Sequence, residues 1–312
     1  MTSFAVVITS YNYRDFVGTA IDGALAQTRS AAQIIVVDDG SSDGTVDYLR
    51  ERHGADSRVT LLCGENAGQL AAFQRGVAVA RADVICFLDA DDSWAPDYLA
   101  RIGELYDSRR DVDFVFSDVQ LFGDENRWMG YASRSQDLAF TAISTYMLMP
   151  WYGAPTSALS MRAAWARRAL ELPPSVSAAW RLSADNCLVF GTSVLGARKY
   201  YLRTGAVRYR IHGNNGWWGR QTPATRYLNR LRSRCLIETY ARSIGLSEHC
   251  LQDVKYEFLA KPDPSWRQAR HYARLMWLRR GTWLGNLGRA VSILWGTLGR
   301  RLRAPRGRPD TD

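Results

Sequence analysis

Three carboxylates, Asp89, Asp91 and Asp92, arrive together at the end of an apolar run, Val84-Ile85-Cys86-Phe87-Leu88, with Ala90 between the first two. Five apolar residues in succession predict a buried strand, and acids at its end fall on the rim where open α/β sheets take ligands. Carboxylates two residues apart repel one another unless something positive lies between them. A hard divalent cation with oxygen ligands, Mg2+ or Mn2+, holding a diphosphate is the chemistry this spacing suits. The same residues also read as an acidic turn, with Asp92 and Ser93 capping a helix ahead of Pro96.

Such a rim needs a parallel sheet behind it. Four apolar runs, at 4–9, 33–38, 58–62 and 84–88, recur with helical patterns between them, the signature of βαβ units. Val17, Ala20, Ile21, Ala24 and Leu25 share one helical face in the first connection, as do Phe73, Val77 and Ala80 in the third. Right-handed crossovers then bring the C-terminal ends of all four strands to one edge. Thr9-Ser10-Tyr11-Asn12 and Asp38-Asp39-Gly40-Ser41 join the acids there. An Asp at a second strand's end takes hydroxyls or a base N–H, and an aromatic after the first stacks on a base, so the parts suit a nucleotide. Asp38 to Asp43 reads equally as a strand-to-helix turn, with Gly40 for a positive φ and Asp43 as cap.

Together, Val7-Ile8-Thr9-Ser10-Tyr11-Asn12, Ile34-Ile35-Val36-Val37-Asp38-Asp39-Gly40-Ser41-Ser42-Asp43-Gly44-Thr45, Glu65-Asn66-Ala67-Gly68 and Phe87-Leu88-Asp89-Ala90-Asp91-Asp92 resemble the family 2 glycosyltransferases of GT-A fold. The resemblance covers about residues 4–215. It implies an inverting enzyme dependent on a nucleotide-diphospho-sugar, in which Thr9, Tyr11 and Asp39 hold base and ribose and Gln69 lies near the donor. Asp89, with Ala90, would face the ribose and metal, and Asp91 would bind the cation. The family pattern further implies a catalytic base at Asp185 and a contribution from His212 to the metal and diphosphate site. Ala184 stands where relatives often carry Glu, and Arg75 where many carry Asn. Asp185 also reads as an acid favoured by a helix N-terminus.

The expected architecture is therefore α/β: a GT-A catalytic domain at 1–215, with a mixed, mostly parallel sheet and flanking helices, and a helical extension at 216–312. Residues 113–118 read as a fifth strand and 119–128 as an edge strand or hairpin. The uncharged stretch 138–161 reads as loop and strand over the acceptor site, with Tyr146, Trp151 and Tyr152 as a sugar-stacking wall or core. Trp217 and Trp218 suit either an acceptor pocket or a pin for the C-terminal segment. Helices are expected at 221–241 and 247–259, a linker-like break at 261–264, and a disordered end at 306–312.

Charge separates the two parts. Net charge is +9, yet residues 1–215 carry −3 and residues 216–312 carry +12. Eleven arginines and no acid lie between Pro264 and Pro309, interleaved with Trp266, Trp277, Trp283 and Trp295. Leu287, Val291, Leu294, Leu298 and Leu302 form a helical stripe opposite Arg289, Arg300 and Arg303, suited to docking on the catalytic domain, pairing with another subunit or lying in a membrane interface, and of these an anionic membrane surface is the expected partner. Nucleic acid is not expected, because the acidic rim does not help it. Five cysteines without paired spacing read as reduced, and the N-terminus shows no basic and apolar leader, so a cytoplasmic protein, peripheral on the inner face of the membrane, is expected. The acceptor is expected to be a saccharide or lipid-linked saccharide in cell-surface glycan synthesis. The alternatives are a binding-only sugar-nucleotide sensor and a nucleotidyltransferase, the latter lacking its Gly-rich, basic loop after the first strand.

Overall fold

The structure is a computed structural model that describes residues 1–213, 215, 218, 222–278 and 282–303, the last five by backbone alone. Its organising strand is β1 (Phe4–Ser10), buried along nearly its whole length because apolar residues face helices on both sides of the sheet. β1 pairs in parallel with β2 (Gln33–Asp38) on one side and with β4 (Val84–Asp89) on the other, and β2 pairs with β3 (Val59–Cys63). The four expected strands thus form one parallel half-sheet. Its connections are α1 (Arg14–Leu25), α2 (Thr45–His53) and α3 (Gln69–Val79). α3 lies close against the sheet, since a Cβ on Gly76 would stand 2.6 Å from Val7 Cγ1.

After β4 come β5 (Ser93–Trp94), α4 (Tyr98–Ser108), β6 (Phe114–Gly123), β7 (Trp128–Met129) and β8 (Gln136–Ala139). Next are α5 (Ala142–Leu148), β9 (Leu159–Arg162), α6 (Ala163–Leu170), α7 (Pro174–Ser177), α8 (Asp185–Val194) and β10 (Lys199–Ile211). The sheet runs β3-β2-β1-β4-β9-β6-β10-β5. β9 is antiparallel to both β4 and β6, which makes the sheet mixed. Two expectations are corrected here. The fifth strand does not stop at 118: β6 continues to Gly123 because β10 pairs with it along both halves, on either side of a bulge, and β7 folds back on it as the expected hairpin. Residues 138–161 hold a helix, α5, as well as strand and loop, for the prolines and glycine of that stretch fall at 150, 153 and 155 and leave 142–148 unbroken.

The basic C-terminal part is helical, as expected, with α9 (Pro223–Ser243), α10 (Val254–Leu259), α11 (Trp266–Met276) and α12 (Trp283–Arg303), but the single helix expected over 247–259 is split into a 3-10 helix, Glu248–Gln252, and α10. Thr222 caps α9 through a reciprocal box with Thr225, and Leu236, Ile237 and Tyr240 on that helix belong to the main core. A second, smaller core joins Val254, Phe258, Tyr272, Leu275 and Ile293 to Ile143 of α5. The break at 261–264 is anchored rather than linker-like. The Lys261 amino group is buried and donates to the carbonyls of Leu138 and Phe140, while Asp263 pairs with Arg134. The stripe expected on α12 is also rotated. Asn286, Ala290, Ile293 and Thr297 face the core, with Leu294 partly buried beside them, whereas Leu287 and Val291 are exposed. Ala290 and Ile293 of α12 join Tyr272, Leu275 and Met276 of α11 in the second core, and the bulkier apolar side chains elsewhere on α12 are left outside. The side chains of Arg300, Leu302 and Arg303 and the end at 306–312 lie outside the described residues, as does Trp217.

Candidate active site

Parallel pairing places Thr9 opposite Asp89 in the ladder, so the ends of β1 and β4 meet at one rim. From Asp89 onward the chain is held from two sides, by Ser157 and by Arg210 of β10. The Asp89 backbone N–H donates to Ser157 Oγ at 3.0 Å, and Arg210 Nε donates to the Asp91 carbonyl at 2.9 Å. Asp92 does not cap a helix: its buried carboxylate accepts from Ser157 Oγ at 2.5 Å and from the Arg210 backbone N–H at 2.7 Å, tying the rim loop to β10, and α4 starts later, behind Asp97. With its neighbours fixed, Asp91 presents its carboxylate to His212, with Oδ2 2.9 Å from Nε2. The His212 ring is stacked on Phe16 at 5.3 Å and meets the edge of Tyr13 at 6.0 Å, while the Arg210 guanidinium lies over Phe16 and Phe122.

On the other side, Asp39 is buried and its two carboxylate oxygens accept from the backbone N–H groups of Ala67 and Gly68, at 2.9 and 2.7 Å. Gly68 has φ +95, and a Cβ there would fall 2.6 Å from the Cα of Arg181. That close approach sets the first residue of α3, Gln69, between two walls of the site. Its Nε2 donates to Asp89 Oδ1 at 3.2 Å, and its Oε1 accepts the Ala184 backbone N–H at 3.0 Å. One side-chain amide therefore ties Asp89 to the N-terminus of α8, where Asp185 stands. The loops after β1 and β2 are joined as well, through Asn12 N–H to Ser41 Oγ and Ser42 N–H to Asn12 Oδ1, both 2.8 Å.

Electrostatics bear on what the site awaits. Burial, and then the charges of Asp91 and Asp185, push the Asp89 carboxyl up to about 8, against hydrogen bonds from Thr156 and Gln69. Burial raises Asp92 well above the usual carboxylate range, with Asp91 and Asp89 adding to it, and lifts Asp185 to about 6. Tyr13 is kept protonated by burial and by the same acids. A concentration of acid with this much mutual repulsion gains by taking up a cation. Among the described residues no three His, Cys, Asp or Glu side chains are arranged to enclose a metal ion. The donors present, Asp91 paired with His212 and Asp89 nearby, fit an ion whose shell is completed by substrate phosphates and water, the usual habit of Mg2+.

Of the residues expected from sequence, Thr9, Asp39, Gln69, Asp89, Asp91, Asp185 and His212 gather on this rim. Ala90 is buried between its acids, and Tyr11 projects 47 % exposed from the loop after β1. Sequence reasoning missed Tyr13, Phe16 and Arg210. Arg210 lies near the end of the alternating strand β10, two residues before His212, a signal that was present, whereas nothing in the sequence marks Tyr13 and Phe16 as a box around His212. Of the aromatic wall, Tyr152 is core, bonded to Ser144, Tyr146 is half-buried and Trp151 is 37 % exposed. Trp218 pins the turn after β6 by donating to Glu125 at 2.6 Å.

The half-parallel sheet, its antiparallel insertion and the acidic rim define a glycosyltransferase of GT-A fold. The family model for glycosyl transferase family 2 matches residues 5–170, and the chain belongs to that family. It is 31 % identical over 291 residues to an uncharacterized glycosyltransferase, alr2836, of Nostoc sp., across 89 % of this chain and 85 % of that one. It is 30 % identical over 129 residues to the amylovoran biosynthesis glycosyltransferase AmsB of Erwinia amylovora, 39 % of this chain and 43 % of that protein. In fold it is similar to residues 1–349 of S. aureus TarS in complex with UDP-GlcNAc, with TM-score 0.54 and 12 % identity over 93 % of this chain and 81 % of that one.

Proposed function

We propose that the protein transfers a sugar, with inversion, from a nucleotide-diphospho-sugar to an acceptor hydroxyl in cell-surface glycan synthesis. The observation that carries the reading is the Gln69 bridge, which sets an acid with a raised pKa, Asp185, across from Asp89 and the Asp91–His212 pair. Asp185 takes the acceptor proton as its oxygen attacks the anomeric carbon, and the bond from that carbon to the diphosphate oxygen breaks with its electron pair leaving on the diphosphate. A single displacement of this kind inverts the carbon. Asp91 and His212, with Asp89, would hold Mg2+ or Mn2+, which when bound neutralises charge on the departing diphosphate. Thr9, Tyr11 and Asp39 would take base and ribose. The TarS complex with UDP-GlcNAc supports a UDP-sugar as the first donor to test, and the amylovoran assignment of AmsB supports a saccharide or lipid-linked acceptor. A thermal-shift panel of nucleotide sugars with and without Mn2+ identifies the donor, since stabilisation follows affinity. Metal-dependent stabilisation by one donor class is expected; no stabilisation by any, with or without metal, overturns the reading.

A further inference from the structure

The last two helices leave outside what a helix in water would bury. α12 seats Asn286 and Thr297 against the core and exposes Trp283 at 64 %, Leu284 at 71 % and Trp295 at 66 %, with Leu287 and Val291 between them. These apolar residues adjoin the docked stripe on one side of the helix, so the exposed sector is continuous and a covering partner is implied. The outer face of α11 carries Trp266, Arg270, Arg274 and Trp277 at spacings of four, four and three, all exposed. Aromatic rings interleaved with long cationic chains are the composition of a surface at the boundary of water and lipid, where guanidinium groups stay with phosphates while rings and stems sink. The charge selects the occupant. Eleven arginines without an acid between Pro264 and Pro309 would repel a second copy of the same face and attract an anionic one. Nucleic acid would use the arginines but gives no use to an aliphatic face of Leu284, Leu287 and Val291. No helix among the described residues is long and apolar enough to cross a membrane, so the contact lies in the surface plane.

We propose that α11 and α12 seat the enzyme on an anionic lipid surface, with the exposed Trp and Leu side chains of α12 entering the headgroup region and the arginines of α11 pairing with lipid phosphates. The test is co-sedimentation of the full chain with phosphatidylcholine vesicles, with and without phosphatidylglycerol, at low and raised salt. Binding is expected to the anionic vesicles only, weakened by salt. The double change Trp283→Ser with Trp295→Ser is expected to lower it by about tenfold or more, with melting temperature and UDP-sugar binding unchanged. Should that variant fold poorly, Leu284→Ser with Val291→Ser serves instead and the same loss is expected. Equal partition to neutral and anionic vesicles, wild-type binding by a folded variant, or concentration-dependent self-association that covers the face without lipid overturns the proposal. So does capture of duplex DNA that competes with no vesicle.

Discussion

At the scale of single residues, the site depends on acids kept close together without a preformed cage. Asp185 is raised to about 6 by burial, while an ordinary aspartate titrates near 4. A base must be ionised to act, so kcat/KM is expected to rise with pH up to about 6, the value raised at Asp185, and to level off above it. Asp185→Asn is expected to remove transfer altogether while leaving metal-dependent UDP binding near wild type; undiminished turnover in that variant would remove Asp185 from the mechanism. The raised value also works against folding: the stability it takes away is lost as pH climbs from about 4, where the unfolded group titrates, to about 6. The proposed metal role of Asp91 and His212 has its own check. His212→Ala removes one of the two side chains that already meet, so Mn2+-dependent binding of UDP is expected to weaken by tenfold or more, roughly the effect of losing one charge-assisted contact, as titration calorimetry would read. The acids and His212 were legible in the sequence because their positions follow strand ends. The ring box formed by Tyr13 and Phe16 was not, since it depends on how α1 leaves β1, which no periodicity encodes.

At the scale of elements, α3 and α8 are locked to one another through the Gly68–Gln69 corner. Gln69 donates to Asp89 and accepts from Ala184, so it acts through those neighbours as a positioning residue. Gln69→Ala is expected to lower kcat by about ten- to a hundredfold, within the usual range for a misplaced general base, with a smaller change in donor KM and a shifted acid limb of the pH profile. A change in KM alone, with kcat intact, would assign Gln69 to donor binding only. Gly68→Ala strains the same corner twice, by its φ of +95 and by the Arg181 Cα beneath it. A loss of more than about 1 kcal/mol is expected in denaturant unfolding, together with lost transfer. The elements themselves were readable where they repeat, as in the four parallel strands, because burial on both faces writes a continuous apolar run. They were unreadable where pairing is long-range. β6 is long because β10 pairs with it past residue 118, and the N-terminus of α5 is satisfied by Glu257, far along the chain, which accepts the Ile143 and Ser144 N–H groups at 2.7 and 3.1 Å.

At the scale of the molecule, charge and packing divide the chain in different places. The charge changes sign near residue 215, yet α9 beyond it is part of the main core: Tyr240 is buried and its hydroxyl donates to the carbonyls of Ala169 and Cys187, on either side of the segment leading to Asp185. Sequence composition shows the electrostatic boundary because charge is a sum over residues, whereas packing depends on which few apolar side chains reach inward. The two boundaries predict different outcomes for truncation. A chain ending at residue 215 loses Leu236, Ile237 and Tyr240 from the core and is expected to be insoluble or to lack a cooperative melt, since each large buried side chain contributes about 2–5 kcal/mol against a total of roughly 5–15 kcal/mol. A chain ending at residue 281 loses α12 and the C-terminal residues beyond it, and with them Ala290, Ile293 and Leu294 from the second core and the buried Asn286 and Thr297 beside them, while the main core stays whole. That shorter form is expected to melt cooperatively at a lower temperature, to bind the same UDP-sugar as the full chain and, keeping only the α11 part of the lipid-facing surface, to sediment with anionic vesicles more weakly than the full chain. Circular dichroism melts of the two truncated forms decide between packing and charge as the boundary of the catalytic unit: a cooperative melt for the chain ending at 215 would place the boundary where the charge changes.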